Sequence, residues 1–239
     1  MRYTVVIWSL VSTISIAAAS TSWGNDPATV TPSPTKPEAI KSTEWQSLFD
    51  GKTLTNWKAT EYGGEGDVLV KEGQIIVEAG EPLSGVTWTG GELPKSNYEV
   101  RLEAQKIEGS DFFLALTFPV KESHCSLVLG GWGGGVTGLS SIDGFDASEN
   151  ETTDYQDYPV GKWFPVRVRV TDDSIQAWLD GERIVNVDTQ DKRISIRIEV
   201  DQNCPLGMTT FQTKAGYRKI EARKLGPDDL KAADSKPSL

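Results

Sequence analysis

Residues 98–104 read Tyr-Glu-Val-Arg-Leu-Glu-Ala, a strict alternation of apolar and charged side chains. Successive side chains of a β-strand point to opposite sides of a sheet, so the pattern predicts a strand with one buried face and one solvated face. Residues 164–170 and 194–200 alternate in the same way and are also predicted to be strands. Strands of this kind are typical of antiparallel sheets.

Turn signals recur at short intervals between the predicted strands. Asp180-Gly181 lies between two apolar stretches and is a strong signal for a two-residue hairpin, and Glu72-Gly73 is a weaker one. About twelve short strands in one domain predict an all-β fold, either a sandwich or a barrel. We favour a two-sheet antiparallel jelly-roll sandwich, because the strand number and length exceed those of a small barrel.

The composition limits the classes of partner. The chain has 239 residues, with 24 Lys and Arg against 34 Asp and Glu, which gives a net charge of −10. A chain this acidic lacks the positive surface that nucleic acids and anionic lipids require. We therefore expect no nucleic-acid partner. A neutral or cationic partner is favoured, and carbohydrates are common neutral ones.

The N-terminus predicts export. Met1-Arg2 is followed by an apolar stretch, 3–19, which ends in Ala17-Ala18-Ala19 and fits a cleaved signal peptide over residues 1–19. An uncleaved N-terminal anchor is the alternative. Because no other apolar stretch approaches the roughly 18 residues of a membrane helix, we expect no stable membrane insertion after cleavage. The protein is predicted to be secreted or periplasmic in a bacterium.

Composition also divides the rest of the chain. Residues 20–43 are predicted to be a linker rich in Pro, Thr and Ser, residues 44–225 one β-sandwich domain, and residues 226–239 a polar tail with room for a helical turn.

Cys125 and Cys204 are the only cysteines. An exported protein could join them in a disulfide, or Cys125 could be a small buried apolar residue, and both interpretations stay open here.

The start of the domain resembles a known family. Residues 45–57 read Trp-Gln-Ser-Leu-Phe-Asp-Gly-Lys-Thr-Leu-Thr-Asn-Trp and are similar to the LFDGKSL..W opening of the 3-keto-disaccharide hydrolase domain, also described as a 3-keto-glucoside lyase/hydratase. The hairpin at 68–77 and the stretches 85–89 and 97–103 keep the order of that family. The resemblance extends over about residues 44–225.

The resemblance implies a concanavalin A-like fold of the lectin/glucanase kind, export from bacteria, and lyase/hydratase action on 3-keto-glycosides. The family's mid-domain pattern G-x-E-[YV]-Q-I is missing, and residues 124–152 stand in its place. That stretch resembles a planctomycete-type subgroup. Catalytic residues therefore do not carry over position by position.

The residues themselves suggest catalytic candidates. Lyase chemistry on a 3-keto-glycoside needs a base, and His124 or Glu149 is predicted to supply it. Arg167 or Arg169 is predicted to stabilise the enolate that develops beside the ketone. For His124, the single histidine of the chain, a half-buried structural role is the alternative.

Substrate-binding candidates come from two regions. Trp132, in the glycine-rich stretch 130–135, has a flat apolar ring suited to a sugar, although a tight loop between strands explains the glycines equally well. The late predicted strands are expected to place several polar and aromatic side chains on one sheet face: Arg167, Arg169, Gln176, Trp178, Arg197 and Glu199. Glu99, Arg101 and Glu103 likewise share one face of their strand. For these three residues and for the late-strand residues, the alternative to a binding role is a charged sheet face that only contacts solvent.

An oxygen-rich loop completes the candidates. Residues 143–151 contain Asp143 and Asp146, predicted ligands of a divalent cation such as calcium, and Asn150, a predicted sugar contact. A solvated loop whose side chains cap their own backbone is the alternative. Two functions are therefore expected: action on a small or polymeric carbohydrate, with 3-keto-glycosides favoured, or carbohydrate binding without catalysis.

Overall fold

The computed structural model describes residues 39–234, which form fifteen β-strands and three short helical segments. The strands are β1 Gln46–Ser47, β2 Trp57–Ala59, β3 Val68–Lys71, β4 Gln74–Val77, β5 Leu83–Trp88, β6 Tyr98–Glu108, β7 Leu114–Val120, β8 Ser123–Gly130, β9 Val136–Ser140, β10 Asp154–Tyr155, β11 Trp163–Val170, β12 Ser174–Leu179, β13 Glu182–Asp188, β14 Gly207–Phe211 and β15 Lys214–Lys224. The helical segments are α1 Gly131–Gly134, a 3₁₀ turn at Ile198–Asn203 and α2 Pro227–Asp234. The predicted signal peptide 1–19, residues 20–38 of the predicted linker and residues 235–239 of the predicted tail lie outside the described residues.

The strands pair into two antiparallel sheets. The eight-stranded sheet has the order β13-β12-β11-β6-β15-β4-β3, with β1 also paired to β15. The seven-stranded sheet has the order β10-β9-β8-β7-β14-β5-β2. Apolar side chains from both sheets pack into one core between them. The all-β, two-sheet jelly-roll sandwich predicted from the sequence is confirmed.

The alternation of apolar and charged residues explains which face of the central strands of the eight-stranded sheet is buried. On β6, Val100, Leu102 and Ala104 are buried in the core, while the charged residues between them point to the outer face. On β11, Val166 lies opposite Leu102 and Val168 lies opposite Val100. Full burial of such a side chain stabilises the fold by about 1.5–3 kcal/mol, so the alternation fixes which face turns inward.

Both predicted hairpins are present. Asp180-Gly181 joins β12 to β13, and both residues have positive φ, 51° and 86°. Glu72-Gly73 joins β3 to β4 with φ of 52° and 76°. Positive φ at both positions is the geometry of the tight turn that matches the twist of paired strands.

Two buried tyrosines connect the sheets. The Tyr98 hydroxyl on β6 donates to the carbonyl of Pro119 on β7 at 2.7 Å, and the Tyr217 hydroxyl on β15 donates to the carbonyl of Phe113 at 2.6 Å. Burial raises the pKa of both phenols well above the usual value, so each remains a protonated donor. Each bond crosses the core from the eight-stranded sheet to the seven-stranded one.

The prediction of a strand at 194–200 is wrong. The backbone of Ser195 pairs with Ser141, but beyond it the chain turns into the 3₁₀ segment, and Ile198 is 79% exposed. The tertiary contacts of Asn203 hold this segment: its side-chain amide donates to the carbonyl of Val86 at 3.0 Å. Local alternation is overridden because no neighbouring strand is available after residue 195.

The packed domain extends slightly beyond the predicted limits. The amide of Ile40 donates to the carbonyl of Glu92 at 3.0 Å, within the stretch predicted to be linker. At the other end, Arg223 forms an ion pair with Asp229 of α2 at 3.0 Å, so the start of the tail is attached to the domain.

Within residues 39–234, none of the helices combines the length and the hydropathy that a membrane crossing requires.

The two cysteines are free thiols. Cys125 is buried in the core between the sheets, and burial raises its pKa to about 12. Cys204 is half-buried, just after the 3₁₀ turn. The structure therefore favours Cys125 as a small core residue rather than a disulfide partner.

Candidate functional site

The outer face of the seven-stranded sheet carries a groove with a floor of small side chains. Ala115 on β7 lies opposite Val128 on β8, and Ser126 on β8 lies opposite Ser140 on β9. These four residues line a cavity of about 330 Å³. Their small size leaves a depression across the sheet, which we call the groove.

Three aromatic side chains border the groove. Phe112 and Phe211 have ring centroids 5.8 Å apart, and Trp132, which is 48% exposed, stands in the glycine-rich turn α1. Asp111 holds this turn: its carboxylate accepts from the amide of Phe112 at 2.7 Å and from the amide of Gly133 at 3.0 Å. Exposed aromatic rings beside a shallow depression can cover the apolar face of a sugar.

A charged group forms another wall. Arg197 donates to Glu199 at 2.7 Å and to Asp146 at 2.7 Å, and Arg197 and Glu199 both line the groove. The Arg197 hydrogen bond lowers the pKa of Glu199, and its pair with Glu199 raises the pKa of Arg197. Arg197 and Glu199 are therefore charged near neutral pH and offer donors and acceptors to a polar ligand.

The floor offers a hydroxyl with no partner among the described residues. Ser140 Oγ is buried without a hydrogen bond, whereas Ser126 Oγ lies 3.0 Å from Thr117 Oγ1. An unpaired buried hydroxyl costs free energy unless a ligand or a water molecule pairs with it. Ser140 lines the groove, and its buried hydroxyl oxygen has unused hydrogen-bonding capacity among the described residues.

The amide of Asn150 serves its own loop. Its Nδ2 donates to the carbonyls of Leu139 and Asp146, both at 2.7 Å, and its Oδ1 accepts from the amide and the hydroxyl of Thr152 at 2.9 and 2.7 Å. These contacts match the alternative that the sequence left open, a loop whose side chains cap their own backbone. The Asn150 side chain makes hydrogen bonds to the backbone that the loop cannot make by itself. Asn150 shapes the loop beside the groove, and its role as a sugar contact stays a prediction.

The predicted cation ligands have other partners. Asp143 Oδ1 accepts from the amide of Arg193 at 2.8 Å. Asp146 Oδ1 accepts from the amide and hydroxyl of Ser148, and Oδ2 pairs with Arg197. Over residues 39–234, no group of three or more acidic, histidine or cysteine side chains is placed to hold a metal ion. These residues do not fit a calcium site, which needs six to eight oxygen ligands.

Four predicted site residues lie on the other sheet. Arg167, Arg169, Gln176 and Trp178 occupy the outer face of β11 and β12 in the eight-stranded sheet. The expectation that Arg197 and Glu199 would share this face is wrong, because the chain at 194–200 leaves the strand path and lies at the groove. Arg167 covers one face of the Trp178 ring, with its guanidinium carbon 3.8 Å from the ring centroid.

The two predicted bases are placed differently. His124 precedes the buried Cys125 on β8, so it points to the same outer face as Ser126, about 7 Å along the strand. Burial, and secondarily the charge of Lys95, lowers the pKa of His124. Glu149 is exposed in the loop after β9 and does not line the groove. Of the four predicted catalytic residues, His124 alone lies on the groove's face, beyond the residues that line the groove itself.

Sequence reasoning missed several groove residues. Phe112, Phe211 and Ser140 carry no local signal, because aromatic residues in a β-rich chain usually belong to the core. Trp132 and Arg197 were predicted separately, and the structure brings both to one groove. A cluster of small residues on the outer positions of adjacent strands is the signal that points to a groove, but it can be read only when the strand order is known.

The two antiparallel sheets place this chain in the class of jelly-roll β-sandwich domains. The chain belongs to the 3-keto-alpha-glucoside-1,2-lyase-like domain family, whose model matches residues 44–223. Its assignment to the planctomycete-type subgroup stays a prediction. No curated protein sequence matches the chain.

Several solved structures are similar to this chain at low sequence identity. Domain 4 of AbnA, an extracellular arabinanase from Geobacillus stearothermophilus, in complex with arabinotriose, is 15% identical with a TM-score of 0.50, and the match covers 83% of this chain and 100% of that one. A provisionally assigned glycosyl hydrolase from Parabacteroides distasonis is 13% identical, with a TM-score of 0.49 and coverage of 77% and 95%. The carbohydrate-binding module CBM66 from Bacillus subtilis is 10% identical, with a TM-score of 0.44 and coverage of 78% and 100%.

Proposed function

We propose that the groove on the seven-stranded sheet binds a carbohydrate. The observation that carries the proposal is the joint lining of one cavity by three aromatic side chains, the Arg197–Glu199 pair and the unpartnered Ser140 hydroxyl. Rings that cover C–H faces, together with charged and hydroxyl groups that bond sugar hydroxyls, are the two components of a sugar site.

We propose further that the carbohydrate is a 3-keto-glycoside, which the family supports. A base removes the acidic proton at C2, the electron pair forms the enolate of the C3 ketone, and collapse of the enolate expels the C1 substituent. Water then adds to the resulting glucal. His124 is the proposed base, because it lies on the groove's face and burial keeps its imidazole neutral near pH 7. The protein is proposed to act after export, as the N-terminal sequence indicates.

Replacing Trp132 with alanine is expected to weaken carbohydrate binding about two- to tenfold. Loss of the ring removes an exposed apolar platform, and a stacked aromatic contact contributes about 0.5–1.5 kcal/mol. Isothermal titration with a 3-keto-glucoside and with neutral disaccharides measures the change. Trp163→Ala is the matched control, since Trp163 stacks on Arg218 at 3.9 Å on the opposite sheet. Equal losses in the two variants would contradict the groove as the binding site.

Turnover is expected to depend on pH through His124. A neutral imidazole is the active form of a base, and its pKa lies below the usual 6.5 because of burial and Lys95. The rate of aglycone release should therefore fall to half its maximum only below pH 6.5. The residual rate of His124→Asn should lack this fall, and a half-maximal rate above pH 6.5 would contradict the assignment.

Binding without catalysis is the second candidate function, and one observation favours it. The carboxylates at the groove are already engaged: Asp111 by backbone amides and Glu199 by Arg197, which lowers the pKa of Glu199 and makes it a weak base. A 3-keto-glucoside that binds but remains intact over hours, beside an active family member as control, would select this candidate. Release of the aglycone would select the enzyme.

A further inference from the structure

The outer face of the eight-stranded sheet places two arginines directly opposite each other. Arg101 on β6 and Arg167 on β11 are cross-strand partners in the antiparallel register. Side chains at such positions have Cβ atoms about 4.5–5.5 Å apart, and like charges placed there destabilise a sheet. Among the described residues each guanidinium pairs with one carboxylate, and an anion between the two would lessen the repulsion that remains.

Both guanidinium groups are held in place and retain free donors. Arg101 lies 4.0 Å from the ring centroid of Trp45, and Arg167 lies 3.8 Å from that of Trp178. Stacking holds a planar guanidinium flat, which leaves its edge N–H groups available. Among the described residues, Arg101 donates one hydrogen bond to Glu221 at 2.6 Å, and Arg167 donates one to Glu99 at 2.9 Å. A guanidinium has five N–H donors, so most of the donors of each arginine remain free to bond a ligand.

A cavity adjoins this pair. Its volume is about 410 Å³, and its charged lining consists of three cations and two carboxylates: Arg101, Arg167, Lys219, Glu103 and Glu221. Arg101 and Lys219 are 43% and 66% exposed, so the cavity is open to a ligand. Among the described residues each of these cations pairs with a carboxylate, Lys219 with Glu103 at 2.6 Å. The lining still carries one more positive than negative side chain, on a chain whose net charge is −10.

We propose that this cavity binds the carboxylate of an acidic sugar residue, with Arg101 and Arg167 as bidentate partners and Lys219 as a third cation. Two coplanar N–H groups match the two oxygens of a carboxylate, whereas a neutral sugar gives them no charge to pair with. The site lies on the opposite sheet from the groove, so it is independent of the carbohydrate bound there. It would let the domain attach to a uronate-containing glycan while the groove holds its own ligand.

The test is isothermal titration of the purified chain with digalacturonate, with the neutral disaccharide galactobiose and with sodium sulfate. Digalacturonate is expected to bind at least tenfold more tightly than galactobiose, and its affinity should fall as salt rises. Lys219→Gln should weaken digalacturonate binding about three- to tenfold. This variant is expected to fold, because Glu103 keeps its pair with Arg218 at 2.7 Å.

The controls separate this site from the rest of the surface. Lys95→Gln removes an exposed lysine that pairs with Glu122 elsewhere on the chain, and it should leave binding unchanged. Trp132→Ala tests the groove and should also leave digalacturonate binding unchanged. Equal binding of the two disaccharides, binding of sulfate without digalacturonate, loss of binding in Trp132→Ala, or no loss in Lys219→Gln would each overturn the proposal.

Discussion

Glu99→Gln is expected to lower the free energy of unfolding by about 3–5 kcal/mol. The Glu99 side chain is fully buried, and its two oxygens accept from Arg167 at 2.9 Å, Arg169 at 2.8 Å and Arg223 at 2.9 Å. A glutamine of the same shape removes the charge on which three guanidinium groups converge, and of the three Arg223 alone keeps another carboxylate partner among the described residues, Asp229. Removing one partner of a buried ionic cluster costs far more than the cluster's net contribution to folding.

Urea denaturation of the wild type and the variant measures this loss. Glu122→Gln is the matched control, because Glu122 is 87% exposed and pairs only with the exposed Lys95, a pair worth at most about 1 kcal/mol. A similar loss in both variants, or a loss below 1 kcal/mol in Glu99→Gln, would mean that the three arginines find other partners or water. Raised salt should weaken the control pair more than the buried cluster.

Asn203→Ala is expected to cost about 3–5 kcal/mol and also to weaken ligand binding at the groove. Asn203 is fully buried: its amide donates to the carbonyl of Val86 at 3.0 Å, and its oxygen accepts from Tyr62 and from Thr209, the latter at 2.9 Å. Alanine removes the donor to the carbonyl of Val86 and the acceptor of Tyr62 and Thr209, whose hydroxyls keep only their mutual contact at 2.8 Å. Each lost bond to a buried group costs about 1–3 kcal/mol. The 3₁₀ turn that carries Glu199 then loses this attachment to the sheet.

Binding and stability together check this prediction. Asn186→Ala is the control, since Asn186 is exposed on β13 and accepts only from Gln176 at 2.8 Å. It should change stability by less than about 1 kcal/mol and leave the groove unaffected. Because Asn203 does not line the groove, weaker binding in Asn203→Ala at a temperature where the protein remains folded would show that the turn positions Arg197 and Glu199. Unchanged binding would contradict that role.

The fold could be predicted because its main signals are local. The alternation on β6 and β11 needs only residues 98–104 and 164–170, and the hairpin at Asp180-Gly181 needs only two residues and their neighbours. Burial of one face follows directly from that spacing. Residues 194–200 alternate equally well, yet their structure depends on Asn203 and on the strand that ends at Ser140, which the local pattern does not contain.

Single residues of the candidate site could be predicted, but not their meeting in one groove, because local patterns do not contain the strand order. Trp132 and Arg197 stood out by residue type, but their meeting depends on the order β9-β8-β7-β14, which joins stretches about 100 residues apart in the chain. Ser140 and Phe211 become informative only after that order is known. The polar residues of β11 and β12 were correctly grouped on one face, since adjacent strands of a hairpin share their register.

The tyrosine bonds across the core bear on how the domain responds to force. Tyr98 and Tyr217 anchor neighbouring strands of one layer to the backbone of the other, at Pro119 and Phe113. Sliding the layers past each other would break both bonds where no water can replace them. The domain should therefore resist shear as a single stiff body, so that a load on one outer surface moves both surfaces together.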